Sequence, residues 1–372
     1  MAIFDIPLDQ LRTRRSIKWA RFEPDVLPMF VAEMDARPIP AVVETLSRMI
    51  TAGDTGYPEL PDYQEAFAGF AHDVWGWETD PASMSLACDV VTGMRETLLA
   101  ATQPGDAVAI NPPIYPPFRA VCRSTGRRIV EVPMTGDGHL DLGALADAFE
   151  RERPAAYLLC SPHNPWGTVF TAEELTRVME LANASGVLVV SDEIHAPLSG
   201  SAHTPIGKVP GGERAVVVTA ASKAWNLAGM KAGLIIPGSE AVRHVRALPG
   251  FVAEQASYLG VAAHATALTH GRGWLDEARS EIAANKVHFA EELSRRLPQL
   301  TWHIPKATYL AWVDCTPLGL DNAGQVFHAR GRVRFGMGTD YDPSATQFIR
   351  VNLATSKELI TEGVRRMEAS LR

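Results

Sequence analysis

A single lysine follows an apolar run near the middle of this 372-residue chain. The run is rich in valine, ends in small and hydroxyl residues, and reads AVVVTAASKAWNLAGMKAG from Ala215 to Gly233. Such a run predicts a buried parallel strand that delivers Thr219, Ser222 and Lys223 to its carboxyl end, the edge where open α/β sheets bind ligands. Partial burial lowers the pKa of a lysine and leaves a neutral amine able to condense with an aldehyde. A Ser-Lys pair alone is also typical of a solvated loop, so its neighbours decide between the two interpretations.

A carboxylate ends the preceding strand. The run GVLVV leads into SDEIHAPL, which places Asp192 at the end of a buried strand. Taking a carboxylate out of water is costly unless a cation pairs with it, so we expect Asp192 to have a cationic partner. His195 follows three residues later, although an isolated histidine at such a position is also typical of simple packing.

Four further segments place chemically useful groups at strand ends or turns. Asn164 lies in the turn SPHNPWGTVF, and Tyr115 lies between prolines in NPPIYPPF, where a stiff ring could stack on a planar group. In CDVVTGMRET, Gly93 and Met94 stand where a strand is expected to enter a helix, and helix N-termini attract anions. Arg350, in the strand-like RVNLA, could bind a carboxylate through two parallel hydrogen bonds.

Together these segments resemble the pyridoxal-phosphate (PLP) enzymes of the aspartate-aminotransferase superfamily, fold type I, class I and II. The resemblance is greatest to the cystathionine β-lyase (C–S lyase) branch. That branch has the signature Leu-Pro-Met-Trp-Val-Ala-Asp-Met-Asp, and this chain has LPMFVAEMD from Leu27 to Asp35, with Phe30 and Glu33 as departures. The resemblance covers nearly the whole chain, as far as Arg350.

The resemblance implies a role for each candidate. It implies that Lys223 holds PLP and moves the substrate Cα proton, that Asp192 pairs with the pyridine nitrogen, and that Tyr115 stacks on the ring. It places Asn164 and His195 beside the phenolic oxygen of the cofactor. Its remaining implications are contacts to the cofactor phosphate, from Gly93, Met94, Thr219, Ser222, Lys231 and Tyr57, and contacts to the substrate, from Arg350, Asn164, Ala32 and Tyr57. Tyr57 is expected to act across the subunit boundary of a homodimer with composite active sites.

The order of elements predicts an α/β fold. Strands are expected at 107–110, 156–160, 187–191 and 215–219, with helices at 94–102, 142–153 and 172–185. This alternation is typical of a mostly parallel sheet covered by helices. From residue 300 onward the pattern changes to short strands, at 301–304 and 348–353, and a last helix at 356–371. With the resemblance, it implies a large PLP-binding domain at 40–275 with a seven-stranded-type sheet, and a smaller α+β domain from 1–39 and 276–372.

Composition and charge exclude several classes of partner. The chain is 46% hydrophobic and 21% charged, carries a formal net charge of −8, and has no basic cluster, which argues against nucleic-acid binding. No apolar stretch reaches the roughly 20 residues needed to span a bilayer. The first residues, MAIFDIPLDQLRTRRS, lack the apolar core of a signal peptide, so we expect a cytoplasmic protein. The 4 cysteines lie far apart and suggest neither a metal site nor a disulfide framework.

The resemblance implies β-elimination from a cysteine S-conjugate such as L-cystathionine, giving a thiol, pyruvate and ammonia. One alternative is a PLP-dependent aminotransferase that pairs an L-amino acid with a 2-oxo acid. A basic residue to bind the second carboxylate of a dicarboxylic acid is not evident in the sequence, and this favours the lyase. Another alternative is a non-catalytic regulatory protein that kept the fold, but the intact Lys223 and Asp192 argue against it.

Overall fold

The computed structural model describes residues 2–372. In chain order, the strands are β1 (Leu27–Met29), β2 (Ser85–Ala87), β3 (Ala107–Ile110), β4 (Arg128–Glu131), β5 (Ala156–Cys160), β6 (Leu188–Asp192), β7 (Val216–Thr219), β8 (Gly233–Pro237), β9 (Leu310–Asp314), β10 (Val333–Met337) and β11 (Phe348–Asn352).

The helices alternate with the strands over most of the chain. In chain order, the α-helices are α1 (Leu8–Leu11), α2 (Ile17–Ala20), α3 (Pro40–Ala52), α4 (Asp62–Trp75), α5 (Val90–Ala101), α6 (Pro117–Ser124), α7 (Leu142–Glu152), α8 (Ala172–Ser185), α9 (Ala196–Ser199), α10 (Val242–Arg246), α11 (Phe251–Glu254), α12 (Tyr258–His270), α13 (Arg272–Arg296), α14 (Ala323–Ala329), α15 (Gly338–Tyr341) and α16 (Lys357–Ala369). Across residues 2–372, every helix is too short or too polar to cross a membrane.

The chain divides into two compact units. The central unit contains Ile39–His163 and Thr168–Arg272. The terminal unit contains the described residues up to Pro38 together with Asn164–Gly167 and Gly273–Arg372. The domain boundaries expected at residues 39–40 and 275–276 stay a prediction.

A seven-stranded sheet forms the middle of the central unit, with the order β2-β8-β7-β6-β5-β3-β4. Strands β3 to β7 are parallel to their neighbours among themselves, and β8 runs antiparallel to β7 and β2. Strands β3, β5, β7 and β8 are buried along their whole length, as is typical of a sheet covered on both faces. The predicted fold class, a mostly parallel sheet with helices, is confirmed.

A four-stranded sheet organises the terminal unit, with the order β1-β10-β11-β9. Strand β1 is parallel to β10, and the other pairs are antiparallel. One face of the sheet buries alternate residues such as Phe335, Ile349 and Val351 against Ile360 and Val364 of α16. Because successive side chains of a strand point to opposite faces, the residues between these buried positions share the other face of the sheet.

Two predicted elements differ from the structure. Residues 301–304 do not form a strand, because they pair with none of the four strands β1, β10, β11 and β9. Trp302 instead packs its ring 5.1 Å from that of Phe289. Helix α5 begins at Val90, four residues before the predicted start, because the Asp89 side chain accepts from the Thr92 N–H at 2.8 Å and caps the helix there. The sequence does not predict strands β1, β8, β9 and β10.

Candidate active site

Asp192 is the last residue of β6 and lies where the parallel strands of the seven-stranded sheet have their carboxyl ends. Its Cα pairs with Cys160 on β5 and with Val218 on β7, so it is enclosed between two buried strands. Asp192 is 5% exposed, and burial raises the pKa of its carboxyl to about 7, with the charge of Glu193 adding to the rise. The neighbouring Lys223 opposes this rise in pKa. A cationic group bound beside Asp192 would therefore stabilise its charged form.

Lys223 lies in a turn that follows β7. The turn is closed by two backbone hydrogen bonds, from the Trp225 N–H to the Ala221 carbonyl at 3.0 Å and from the Leu227 N–H to the Ser222 carbonyl at 2.8 Å. On its other side, the Ala221 N–H donates to the hydroxyl of Tyr63 at 3.3 Å. Ser222 and Lys223 are both half-buried. The lysine is therefore carried by a fixed turn at the same sheet edge as Asp192.

Tyr63 and His264 support this turn, and the sequence did not single them out. Both residues are fully buried, and the Tyr63 hydroxyl lies 3.1 Å from the His264 Nδ1. Burial lowers the pKa of His264 to about 4 and raises the pKa of Tyr63 well above its usual range, so both groups are neutral near pH 7. Tyr63 is 158 residues from Ala221 in sequence, so no local pattern could have indicated this contact.

A second buried acid, Glu193, stands next to Asp192. Its carboxylate lies 2.9 Å from the Nε2 of His203 and accepts from the Ile206 N–H at 2.9 Å. The hydroxyl of Thr219 donates to the Glu193 carbonyl at 3.2 Å. Thr219, expected to contact the cofactor phosphate, therefore already uses its hydroxyl proton in another hydrogen bond. The pair of adjacent acids in SDEIH was the available sequence signal for Glu193. His195, also expected at the site, is 3% exposed and stands just before α9.

The N-terminus of α5 differs from the expected anion site. The Gly93 N–H donates to the Asp89 carbonyl at 2.8 Å, so this donor is used inside the helix. A Cβ on Gly93 would lie 3.3 Å from side-chain atoms of Val218 and Ile235, which explains the glycine by close helix–sheet packing. Met94 is fully buried. The unbonded N–H groups of a first turn belong here to the residues at positions 90 and 91.

Lys231 and Tyr115 border the same region of the central unit. The Lys231 Nζ lies 2.8 Å from the Asp89 Oδ2, and this hydrogen bond raises the pKa of Lys231. The electrostatic influence of Tyr115 contributes to the same rise in the pKa of Lys231. The ring of Tyr115 is half-buried and packs against the core beneath the sheet.

Arg350 and Asn164 meet in the terminal unit. The Arg350 Nη1 donates to the Asn164 Oδ1 at 3.1 Å, which leaves the Asn164 amine as the group that can donate elsewhere. The Arg350 Nη2 donates to the Phe30 carbonyl at 2.7 Å, and its Cζ lies 5.0 Å from the ring centroid of Tyr341. Arg350 is 4% exposed and Asn164 is 4% exposed.

The segment around Ala32 is anchored to β11. The Asn352 Nδ2 donates to the carbonyls of Val31 and Glu33, each at 2.7 Å, on either side of Ala32. The buried Lys18 adds a hydrogen bond to the Glu33 carbonyl at 3.1 Å. The backbone at Ala32 is therefore held in one position relative to Arg350 on the same strand.

Tyr57 stands apart from the other candidates. It lies in the loop between α3 and α4 and is 84% exposed. A surface recess beside it is lined by residues of α3, α4 and α12, including Arg48 and Tyr258. Tyr57 is thus directed away from the core of its own unit.

These residue types fit PLP as a cofactor. A buried carboxylate without its own cation suits a protonated ring nitrogen, a half-buried lysine suits a covalent link to an aldehyde, and a helix N-terminus beside a lysine suits a phosphate. Asp89 is the exception, because its carboxylate lies at that helix N-terminus and pairs with Lys231.

Comparisons with known proteins identify the family of the chain. The family model for aminotransferase class I and II matches residues 25–368. A Mycobacterium leprae protein named "Putative cystathionine beta-lyase" is 40% identical and aligns with 98% of this chain and 97% of its own length. Cystathionine beta-lyase PatB of Bacillus subtilis is 33% identical, with 99% of each chain aligned. The crystal structure of the PLP-bound C–S lyase from Staphylococcus hominis superposes with a TM-score of 0.90 at 25% identity, covering 99% of this chain and 98% of that one. The chain therefore belongs to the class I and II aminotransferase family.

Proposed function

We propose that this chain is a PLP-dependent carbon–sulfur lyase of the cystathionine β-lyase type. The overall reaction converts a cysteine thioether such as L-cystathionine and water into a thiol, pyruvate and ammonia, with cleavage of the Cβ–S bond. The observation that carries the proposal is the placement of buried Asp192 and Lys223 at the same sheet edge, in a chain whose relatives are named for this reaction.

Bound PLP supplies an aldehyde that condenses with amines and a ring that withdraws electrons from the adjoining carbon. In our proposal Asp192 holds the proton on the ring nitrogen, and Lys223 binds the cofactor and then moves the Cα proton. Tyr115 packs on the ring, while Asn164 and His195 act at the phenolic oxygen. Arg350 and the backbone at Ala32 hold the substrate, with Arg350 on the α-carboxylate.

The phosphate contacts are also part of the proposal. Ser222 and Lys231 remain candidates, and Thr219 would first have to release the Glu193 carbonyl. Because the Gly93 N–H is used inside α5, we assign the helix contribution to the N–H groups of Val90 and Val91 in place of Gly93 and Met94.

We further propose a cytoplasmic homodimer in which Tyr57 serves the partner's active site. Exposed large apolar side chains on α3 and in the loop that carries Tyr57 support this: Leu60 is 65% exposed, Ile50 is 59% exposed and Val43 is 47% exposed. Exposed apolar residues in such a group are typical of a protein–protein interface.

The proposed reaction is tested by supplying the purified PLP-loaded protein with L-cystathionine, with and without a 2-oxo acid. We expect thiol and pyruvate in equal amounts without any added oxo acid, because a thiol with a pKa near roughly 8.5 is a good leaving group. The Lys223→Ala variant should release neither product. Negligible thiol release, together with amino transfer from ordinary L-amino acids to the oxo acid, would instead identify an aminotransferase.

A further inference from the structure

The four-stranded sheet of the terminal unit carries two arginines on one face. Gly336 of β10 pairs with Arg350 of β11, and Arg334 is two residues from Gly336 on the same strand. Residues two apart on a strand and residues directly paired across strands point to the same face, so Arg334 and Arg350 share it. Diagonal neighbours of this kind have Cα atoms roughly 7–8 Å apart. The opposite face belongs to the hydrophobic core through Val333 and Phe335.

Arg334 forms no ion pair within residues 2–372. It is half-buried, and among residues 2–372 no carboxylate forms an ion pair with it and its buried Nε has no hydrogen-bond partner. Burial lowers the pKa of Arg334, while the charge of Asp340 raises it and that of Arg21 lowers it further. The guanidinium therefore keeps its charge with only one acid nearby, at the cost of lost hydration.

The neighbouring Arg332 shows what an ordinary structural arginine does in this region. Its Nε and Nη2 donate to the two carboxylate oxygens of Asp25, at 2.7 and 2.8 Å. Such a pair satisfies both charges within the chain. Arg334, only two residues later, lacks an equivalent partner, and this difference indicates that its anion comes from outside the chain.

Aromatic side chains and a neutral histidine shape the surroundings of Arg334. Its Cζ lies 5.4 Å from the ring centroid of Phe22, which packs edge-on to Phe30 at 5.3 Å. His328 lies 5.4 Å from the same Phe22 ring, and its buried Nδ1 has no hydrogen-bond partner among the described residues. Burial, with help from Arg334 and Arg332, lowers the pKa of His328, so it is neutral near pH 7 and able to share a hydrogen bond.

Phe30 lies between the surroundings of Arg334 and Arg350, the residue proposed to bind the α-carboxylate. Its ring contacts Phe22 beside Arg334, and its carbonyl accepts from the Arg350 Nη2 at 2.7 Å. One residue of the N-terminal segment thus contacts the surroundings of both arginines. The two guanidiniums are therefore set at a fixed separation along one face, as two binding points for one elongated ligand.

We propose that Arg334 binds a second carboxylate, at the far end of the substrate's S-substituent, while Arg350 holds the α-carboxylate. This inference rests on the lyase function proposed above and names its substrate class. It also corrects the expectation from the sequence that the chain has no basic residue for a second carboxylate. The preferred substrates are cysteine thioethers whose S-substituent ends in a carboxylate, as that of L-cystathionine does. Arg21 adds to the positive potential, and Phe22 and Phe30 contact the apolar part of the substituent.

Two cysteine thioethers of nearly equal size test this subsite. S-(2-carboxyethyl)-L-cysteine carries the distal carboxylate, and S-propyl-L-cysteine carries a methyl group in its place. Because a charge-assisted hydrogen bond is strong, we expect the PLP-loaded wild-type protein to prefer the carboxylate by about tenfold or more in kcat/KM. Arg334→Gln should abolish this preference by raising KM for the carboxylate substrate, with the propyl substrate unchanged.

Two further variants separate the subsite from general effects. Arg330→Gln removes the same charge at an exposed position just after α14 and should keep the full preference. Arg21→Gln, also at an exposed position, should reduce the preference in part without disturbing the half-buried site. This second variant reports on the subsite even if Arg334→Gln folds poorly.

The outcomes are distinguishable. Equal kcat/KM for the two thioethers in the wild-type protein, or an undiminished preference in both Arg334→Gln and Arg21→Gln, would overturn the subsite and leave the lyase function intact. Release of thiol from neither compound would overturn the lyase function itself, and the subsite with it.

Discussion

Arg350 and Asn164 orient each other, since the Arg350 Nη1 donates to the Asn164 Oδ1 across 3.1 Å. The Arg350 Nη2 donates to the Phe30 carbonyl at 2.7 Å, and the Arg350 Cζ lies 5.0 Å from the ring centroid of Tyr341. The guanidinium is therefore fixed before any substrate arrives, and binding a carboxylate costs it little further freedom. Because the Asn164 Oδ1 is the acceptor in this pair, the Asn164 amide nitrogen remains available as a donor.

Arg350→Lys tests this arrangement. Lysine keeps the charge but lacks the planar fork that makes two parallel hydrogen bonds to a carboxylate. We expect kcat/KM for L-cystathionine to fall by about 100-fold or more, mainly through KM, with bound PLP retained by its absorbance. Arg330→Lys, at an exposed position, should behave as wild type. An unchanged KM for Arg350→Lys would show that the α-carboxylate binds elsewhere.

Asp192 predicts a pH dependence of stability in the cofactor-free protein. Burial raises the pKa of its carboxyl from 3.8 to about 7. Between these values the folded chain holds a proton that the unfolded chain has lost, so the free energy of unfolding falls as pH rises from about 4 to about 7. The contribution lost is up to roughly 4 kcal/mol, since one pKa unit is worth about 1.4 kcal/mol.

The comparison that checks this is denaturant unfolding of the cofactor-free wild type, Asp192→Asn and Asp321→Asn at pH 5 and pH 8. Asp192→Asn should lack most of the decrease, and Asp321→Asn, at an exposed position, should retain it. With PLP present, the activation free energy of turnover should rise by several kcal/mol in Asp192→Asn, because a preorganised charge has been removed. Equal pH slopes for all three proteins would contradict the pKa assignment.

Lys223, and not Lys231, is expected to carry the cofactor. Lys231 donates to Asp89 at 2.8 Å, and this bond raises its pKa, which makes it a poor nucleophile near pH 7. After borohydride treatment, peptide mapping should find the reduced PLP adduct on Lys223. Lys231→Ala should keep the adduct but bind PLP more weakly, and Lys223→Ala should abolish it. An adduct on Lys231 in the wild-type protein would reverse the assignment.

Tyr63→Phe should loosen the turn that carries Lys223. The change removes the acceptor of the Ala221 N–H and the partner of His264, so two buried polar groups lose a hydrogen bond. We expect the free energy of unfolding to fall by about 1–3 kcal/mol. Tyr258→Phe removes a hydroxyl that bonds the exposed Asp54 and should cost less than about 1 kcal/mol. Equal losses for the two variants would mean that the Tyr63 hydroxyl supports nothing in particular.

Local signals were sufficient for several elements of the fold. Helix α8 has the predicted bounds, because Thr171 and Glu174 form the capping box that their spacing indicates. Strand β5 is equally well marked by an apolar run between turns. The predicted start of α5 is wrong because the sequence pattern puts Gly93 at the junction of a strand and a helix, whereas it lies inside the helix against Val218 and Ile235. Asp89, followed by two valines, was the N-cap signal that should have been preferred.

The site could be predicted only in part. Asp192 and Lys223 end apolar runs, so their place at the edge of the sheet follows from sequence alone. Arg334 could not be identified, because its face depends on the pairing of β10 with β11, and β10 itself has no clear period. Tyr63 and His264 form contacts across more than 150 residues, which no local pattern encodes.

Tyr57 leads to the last prediction, because it is 84% exposed although tyrosine side chains are usually at least partly covered. Leu60, 65% exposed, lines the same surface recess, and Ile50 near the end of α3 is 59% exposed. If a second copy of the chain covers this surface, each active site takes Lys223 from one chain and Tyr57 from the other. The protein should then run as a dimer in sedimentation analysis.

Mixing two impaired variants tests the shared site. Tyr57→Phe and Lys223→Ala chains, given different affinity tags, should exchange into heterodimers with one site that has both native residues. That site should restore activity toward half the wild-type value per dimer, whereas each variant alone stays impaired. If purified heterodimers show no more activity than the two parent variants together, Tyr57 acts within its own chain or not at all, and the exposed surface around it needs another explanation.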